Sequence, residues 1–208
     1  FVASIIFRGV DWIYVPTTLL SQADSCIGSK TSINLENIKN VIGNFYPPKQ
    51  IYTDLNFLTS LSKDDIRSGI GEIYHYFFYD NNPLIYELAE EYNDLLTSRT
   101  RLYPYLRESL MIKKSLIEID EFDQGPRRKF NYGHTFGHAI EAISNFEVKH
   151  GLAVTMGMDV ANYISMKRGV LGAKGYDQMK QILSTNMPEY RLAEHDVDQY
   201  LTILAKDK

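Results

Sequence analysis

Three of the five histidines fall within one 17-residue window. His134 and His138 stand at i and i+4, which on a helix puts both imidazoles on one face. His150 follows sixteen positions after His134. Neutral imidazole is the commonest protein ligand for transition metals. A catalytic zinc site takes three protein ligands, often two histidines and a glutamate, with one position left open. Glu72 is the carboxylate candidate, because it is the polar exception in the small, apolar segment Ser68-Gly69-Ile70-Gly71-Glu72-Ile73. A carboxylate buried there requires a cation. Spacing alone keeps a second reading open, in which the histidine pair is hydrogen-bonded core. The pattern is not His-Glu-x-x-His, so it does not point to a metalloprotease.

A second set is cationic. Lys30 lies in a Gly/Ser segment, Lys39-Asn40 precedes Val41-Ile42-Gly43, and Arg127 leads into the histidine segment; Arg8 and Lys113 complete the set. A phosphate or carboxylate substrate needs such donors to converge. The alternative for each one alone is a solvated surface charge. Arg128 and Lys129 are assigned to that alternative.

Holding these groups requires helices over most of the chain. Ser62-Lys63-Asp64-Asp65 opens a helix with acids in its first turn, where they favour the dipole. It carries Glu72 and runs to about Tyr79, and Asp80-Asn81-Asn82-Pro83 breaks it. Further helices are predicted over 83–96, 102–120, 133–146, 150–168, 174–185 and 194–206, with a basic loop over 124–129. Before residue 60 the pattern is mixed. Residues 1–10 read as the tail of a buried helix, Trp12–Val15 and Gln50–Asp54 as strands, and 17–26 as a helix capped by Thr17 or Thr18. Gly28–Ser32 reads as a polar loop. The expected fold is α+β and mostly α, with a boundary near residue 58: an α/β part over 1–58 and a helical metal- and substrate-binding domain over 59–208.

Composition narrows the function classes. With 44% hydrophobic and 23% charged residues in 208, the chain is ordinary globular protein. The net charge of −4 disfavours nucleic acid and anionic membranes as partners. No apolar run is long enough to span a bilayer. The single cysteine, Cys26, precludes an intrachain disulfide, and a cytoplasmic location is expected. The chain opens at Phe1 inside an apolar stretch and ends at Lys208 without a clear stop, as expected of a segment of a longer protein.

Taken in order, these blocks resemble the 3-dehydroquinate synthase family of sugar-phosphate cyclases. The landmarks are Val15-Pro16-Thr17-Thr18-Leu19-Leu20, Asp24 through Thr31, Lys39-Asn40, Glu72, Lys113, Arg127 through Asn131, Gly133-His134-Thr135-Phe136-Gly137-His138-Ala139-Ile140-Glu141 and His150-Gly151. The resemblance implies a remnant of a Rossmann-like α/β half joined to a C-terminal helical domain. It implies a lyase that converts a seven-carbon phosphorylated keto acid into a carbocycle. In that reaction enzyme-bound NAD transiently oxidises a hydroxyl, phosphate leaves, the carbonyl is reduced again and an aldol step closes the ring.

By residue, the resemblance implies that Glu72, His134 and His150 bind a divalent metal, usually zinc, with cobalt possible. Lys30, Asn40, Asn131 and His138 would line the phosphate end of the substrate, and Lys113 and Arg127 its carboxylate and hydroxyls. Thr17, Thr18, Asp24 and Lys39 would touch NAD. Arg8 would reach the partner's site in a homodimer. His75 departs from the family's lysine three residues after the metal glutamate. Ser29 and Leu152 replace the family's glycine and glutamate in Gly-Gly-Lys and His-Gly-Glu. No Gly-x-Gly-x-x-Gly occurs, and the dinucleotide's Gly-rich floor is expected before Phe1. Two alternatives stand beside the cyclase: a related metal-dependent polyol dehydrogenase, which would consume NAD, and a non-catalytic homologue.

Overall fold

The computed structural model describes residues 1–35, 38–122 and 124–205, with Ile38, Lys39 and Pro126 as backbone only. In chain order the elements are α1 Val2–Ile5, β1 Ile13–Tyr14, β2 Lys30–Leu35, β3 Ile38–Phe45 and β4 Gln50–Ile51, then α2 Lys63–Asp80, α3 Leu84–Glu90, α4 Tyr92–Leu95 and α5 Tyr103–Ile119, and finally α6 His134–Ile143, α7 His150–Lys167, α8 Ala173–Ser184 and α9 Val197–Leu204.

Helix α2 starts where its sequence says it should. The Ser62 hydroxyl accepts from the Asp65 amide, and the Asp65 carboxylate accepts in return from the Ser62 amide, so two orphan donors are satisfied together. It ends at Asn81, which adopts the left-handed conformation. Ile66, Ile70, Ile73 and Phe77 recur at helical spacing and are fully buried. They pack with Leu88, Leu95, Tyr105 and Leu106 from α3–α5 and with Val154 and Met158 from α7. Helix α7 packs on both α2 and α6. The expected helix over 83–96 is broken at Glu91, and the basic 124–129 loop winds into a short 3₁₀ turn, Pro126–Asn131.

Two glycines set the distance between α2 and α7. A Cβ on Gly71 would lie 2.1 Å from the Gly151 carbonyl oxygen, and one on Gly151 would lie 1.8 Å from the Ser68 carbonyl oxygen. The two backbones therefore touch. The Gly151 amide, one of the unpaired donors in the first turn of α7, donates to the Ser68 hydroxyl at 3.0 Å. Lys149, just before α7, pairs with Asp65 at the start of α2.

Before residue 60 several expectations are corrected. The apolar start is not a buried helix. It is one helical turn followed by a 3₁₀ turn, and Phe7 is 91% exposed. The polar loop ends at Ser29, because Lys30–Leu35 is a strand, paired antiparallel with β3 through Ser32–Gly43 and Ile33–Ile42. Alternating Thr31, Ile33 and Leu35 suit a strand exposed on both faces. Strand β4 is only Gln50–Ile51, running parallel to β1, because Asp54 turns to cap a 3₁₀ segment at Leu55–Ser60. Thr18, not Thr17, caps the 19–25 segment: the Ser21 amide donates to the Thr18 hydroxyl, and the Thr18 amide donates to that of Ser21. Ser21–Ser25 then widens into a π turn. From this segment Leu19 and Ala23 enter the main core.

Candidate metal centre and anion cleft

Glu72 sits on α2 beside the glycine contact, His150 opens α7 beside the same contact, and His134 opens α6. Their ligating atoms lie within 4.8 Å of one another. Glu72 is 1% exposed. Its Oε1 lies 3.0 Å from His150 Nε2 and 3.4 Å from His134 Nε2, yet it has no hydrogen-bond partner among the described residues.

Each imidazole is oriented through its other nitrogen. His134 Nδ1 faces the Tyr132 carbonyl at 3.3 Å, and His150 Nδ1 faces the Glu141 carboxylate at 3.0 Å. With both Nδ1–H groups so engaged, the two Nε2 atoms and a carboxylate oxygen converge on one buried point. That arrangement needs a positive charge. Burial pushes the Glu72 carboxyl up, and the facing His134 and His150 outweigh burial and hold it well below the usual range. Burial lowers His150, but Glu141 and Glu72 raise it to about 10. Burial also lowers His134, and Glu72 again wins and raises it. A setting that favours a proton between these groups favours a dication in its place. The donor set fits a divalent ion.

The centre opens into a cleft of about 350 Å³. Of the residues singled out in the sequence, Asp24, Lys30, Asn40, His75, Lys113, Arg127, Asn131, His134, His138 and His150 all line it. Lys113 is 4% exposed, and its ammonium donates to the Asp24 carboxylate at 2.8 Å and also to the Asp24 carbonyl. Asp24 also accepts from the Tyr76 hydroxyl. Burial raises the Asp24 carboxyl, and Lys113 overrides it to give a net lowering. The Asp120 carboxylate accepts from the amides of Gln124, Gly125 and Arg127, which folds the basic turn. Arg127 Nη1 then donates to the Glu121 carbonyl at 2.7 Å.

His75 faces Glu72 at 3.8 Å, and its ring packs edge-on against Tyr76, Phe130 and His134. It is 1% exposed, and neither ring nitrogen has a hydrogen-bond partner among the described residues. Burial and the neighbouring His134 lower it to about 4, so the ring is neutral. Cys26, behind the cleft, is pushed up by burial to about 11 and is an inert thiol.

Some expected residues stand elsewhere. Arg8, expected at a partner's cleft, and Thr17, expected at NAD, are exposed and do not line this one, and the Thr18 hydroxyl accepts from the Ser21 amide. The Lys39 side chain lies outside the described residues. Tyr76 and Glu141 were not singled out, although Glu141 stands at i+3 from His138 and i+7 from His134, on the same face of α6.

Two family profiles cover the chain: "3-dehydroquinate synthase N-terminal" matches residues 1–68 and "3-dehydroquinate synthase C-terminal" matches 69–208. A 3-dehydroquinate synthase of Alkaliphilus metalliredigens is 36% identical over 210 residues, covering 100% of this chain and 59% of the relative. One from Helicobacter pylori strain P12 is 37% identical over 209 residues, covering 100% of this chain and 60% of the relative. The chain thus spans about 60% of the length of these relatives. Among solved structures, 2-deoxy-scyllo-inosose synthase complexed with carbaglucose-6-phosphate, NAD+ and Co2+ superposes with a TM-score of 0.88 at 26% identity, over 99% of this chain and 57% of that one.

Proposed function

The chain belongs to the 3-dehydroquinate synthase family, and on that premise we propose that the full-length protein is an NAD- and metal-dependent sugar-phosphate cyclase. It would be a carbon–oxygen lyase that eliminates phosphate from a seven-carbon sugar phosphate and closes the ring by an intramolecular aldol step. The observation that carries this reading is the convergence of Glu72, His134 and His150 at the head of a cleft that also gathers Lys30, Lys113 and Arg127. A neutral polyol needs no such set of cations, which favours a cyclase over a polyol dehydrogenase.

Glu72, His134 and His150 would hold zinc or cobalt; the 2-deoxy-scyllo-inosose synthase complex contains Co2+. When bound, such an ion supplies Lewis-acid polarisation and a template for hydroxyl and carbonyl oxygens. Lys30, with Asn40, Asn131 and His138, is assigned to the phosphate end. Lys113 and Arg127 are assigned to the carboxylate and hydroxyls. Asp24 fixes the Lys113 ammonium, and Glu121 holds the Arg127 guanidinium, so both donors are in place before substrate arrives. His75 can donate to or accept from a substrate hydroxyl without adding charge.

NAD use is proposed for the full-length protein from its family and from the NAD+ of the same complex. Thr17, Thr18, Asp24 and Lys39 are assigned to NAD contacts; Thr18 and Asp24 also bond Ser21, Tyr76 and Lys113. The division into 1–58 and 59–208, a homodimer in which exposed Arg8 serves the partner's cleft, and a cytoplasmic location belong to the same proposal. Among the described residues no helix is long and apolar enough to cross a membrane.

The test is phosphate release from 3-deoxy-D-arabino-heptulosonate 7-phosphate by full-length protein with zinc and NAD. Release without net NADH supports the cyclase. Net NADH from a polyol supports the dehydrogenase, and neither activity supports a non-catalytic homologue. Weak release that rises in His75→Lys would show that the neutral ring tunes the protein toward a substrate with less negative charge.

A further inference from the structure

The geometry points to Glu141 as the residue that positions and activates His150 as a metal ligand, an inference that rests on the metal-binding reading above. Glu141 is 6% exposed on α6, and its Oε2 lies 3.0 Å from His150 Nδ1. A neutral imidazole carries one proton. A lone pair on Nδ1 would face the carboxylate oxygen and repel it, so the proton sits on Nδ1 and is donated to Glu141. Nε2 faces a second carboxylate oxygen, Glu72 Oε1 at 3.0 Å, at the point where the ligating atoms converge; a cation at that point takes the Nε2 lone pair, and the remaining proton stays on Nδ1 against Glu141.

The two histidines are held differently. His134 leans on a neutral backbone carbonyl, that of Tyr132. His150 leans on a carboxylate. A carbonyl orients the ring, whereas a carboxylate also withdraws the Nδ1 proton and makes Nε2 a stronger donor to a metal. The support reaches His150 from across the α6–α7 interface. Its nearer neighbour Leu152 is buried with Ile140, Val148 and Ala153 and has no polar group to offer. Glu141 is therefore a positioning residue, and the protein's grip on its ion is graded by the charge at this position.

A competing role for Glu141 is visible. Ligating atoms of His138, Glu141 and His150 also lie within 4.8 Å of one another, so Glu141 could instead bind a second ion. Metal stoichiometry separates the two roles.

The experiment strips full-length protein of metal and titrates zinc in competition with a chromophoric chelator. Wild type is compared with Glu141→Gln, which can still accept from Nδ1–H but carries no charge, and with Glu141→Leu. Apo-protein melting curves check the fold. The expected result is one zinc per chain in wild type, with affinity about tenfold weaker in Glu141→Gln and about 100-fold weaker in Glu141→Leu. The visible bands of the cobalt-loaded protein should shift in both variants. If Glu141→Leu does not fold, Glu141→Gln decides the matter, since a purely structural hydrogen bond would survive in it. Wild-type zinc affinity and unchanged cobalt bands in Glu141→Gln overturn the inference. Two ions in wild type and one in the variants overturn it as well, by making Glu141 a ligand. A wild type that takes up no zinc overturns the metal reading itself, and this inference with it.

Discussion

The helical part and the part before residue 58 solve burial in opposite ways. In the helical part α2 is buried along nearly its whole middle, and every candidate metal ligand hangs from a helix that contacts another. In the first part Val2, Ile13, Val15, Ile33, Leu35 and Ile42 are all exposed, and the strands form two separate two-stranded sheets. Two-stranded sheets are marginal alone. The 19–25 segment departs from this by sending Leu19 and Ala23 into the helical core and Asp24 to Lys113, and Leu55 packs on the same core. The difference shows where the site's rigidity comes from. The centre is built by helix packing, and the earlier part adds Asp24, Lys30 and Asn40 to the cleft beside it.

The severest way to break this contrast is at the glycine contact. Gly151→Val places side-chain atoms where the Ser68 carbonyl lies, and should cost more than about 3 kcal/mol and abolish zinc uptake. Urea unfolding with parallel zinc titration measures both, and a stable variant that binds zinc would show that the helices can separate without harm.

Lys113→Met tests one bridge between the two parts, at a carboxylate that Tyr76 also reaches. It removes the cation from the Asp24 carboxylate, which keeps the Tyr76 hydroxyl, and should cost about 2 kcal/mol, given the usual worth of a hydrogen bond to a charged group. The double variant Lys113→Met/Asp24→Asn should recover part of that loss in the same unfolding measurement.

Asp65→Asn acts on the α2 cap. Hydrogen bonds from Lys149 and Ser62 hold the Asp65 carboxyl below its usual value. Its contribution is therefore complete above the unfolded pKa near 3.8 and is lost as the pH falls through the lower folded value. The variant should be about 1 kcal/mol less stable at pH 7. Melting temperatures should converge with wild type as the pH falls through that lower folded value; a gap that stays constant from neutral pH into acid would refute the assignment.

The smallest effect belongs to the hairpin. Ile33→Thr removes an exposed apolar group, and in the 208-residue chain should change stability by less than about 0.5 kcal/mol. A loss above about 1 kcal/mol would place the hairpin in the cooperative core and erase the contrast.

What the sequence disclosed follows the same division. Helix α2 was legible because its signals are local: Ser62 with Asp65, periodic isoleucines, and a break at Asn81. The His134 and His138 face was legible for the same reason. The hairpin was not, because Gly28-Ser29-Lys30-Thr31-Ser32 reads as a polar loop and the alternating apolar residues that follow it are only Ile33 and Leu35. The apolar run at Phe1–Phe7 says what residues are present, not what covers them. Partners set by tertiary packing were also invisible: Lys113 and Asp24 are 89 positions apart, and nothing near Asp24 announces Tyr76 as its donor. Glu141 was visible as a motif residue, but its task depends on where α7 lies.

The contact between Gly71 and Gly151 bears finally on how an ion is captured. Glu72 and His150 are each attached next to a point where two main chains touch, with no flexible loop between ligand and contact. Most of the conformational entropy lost in arranging the ligands is lost when the helices dock, before any ion arrives. A divalent ion would then meet a receptor whose shape barely changes on loading, so ion-free and ion-loaded forms should share one backbone, and capture should be limited by dehydration of the ion.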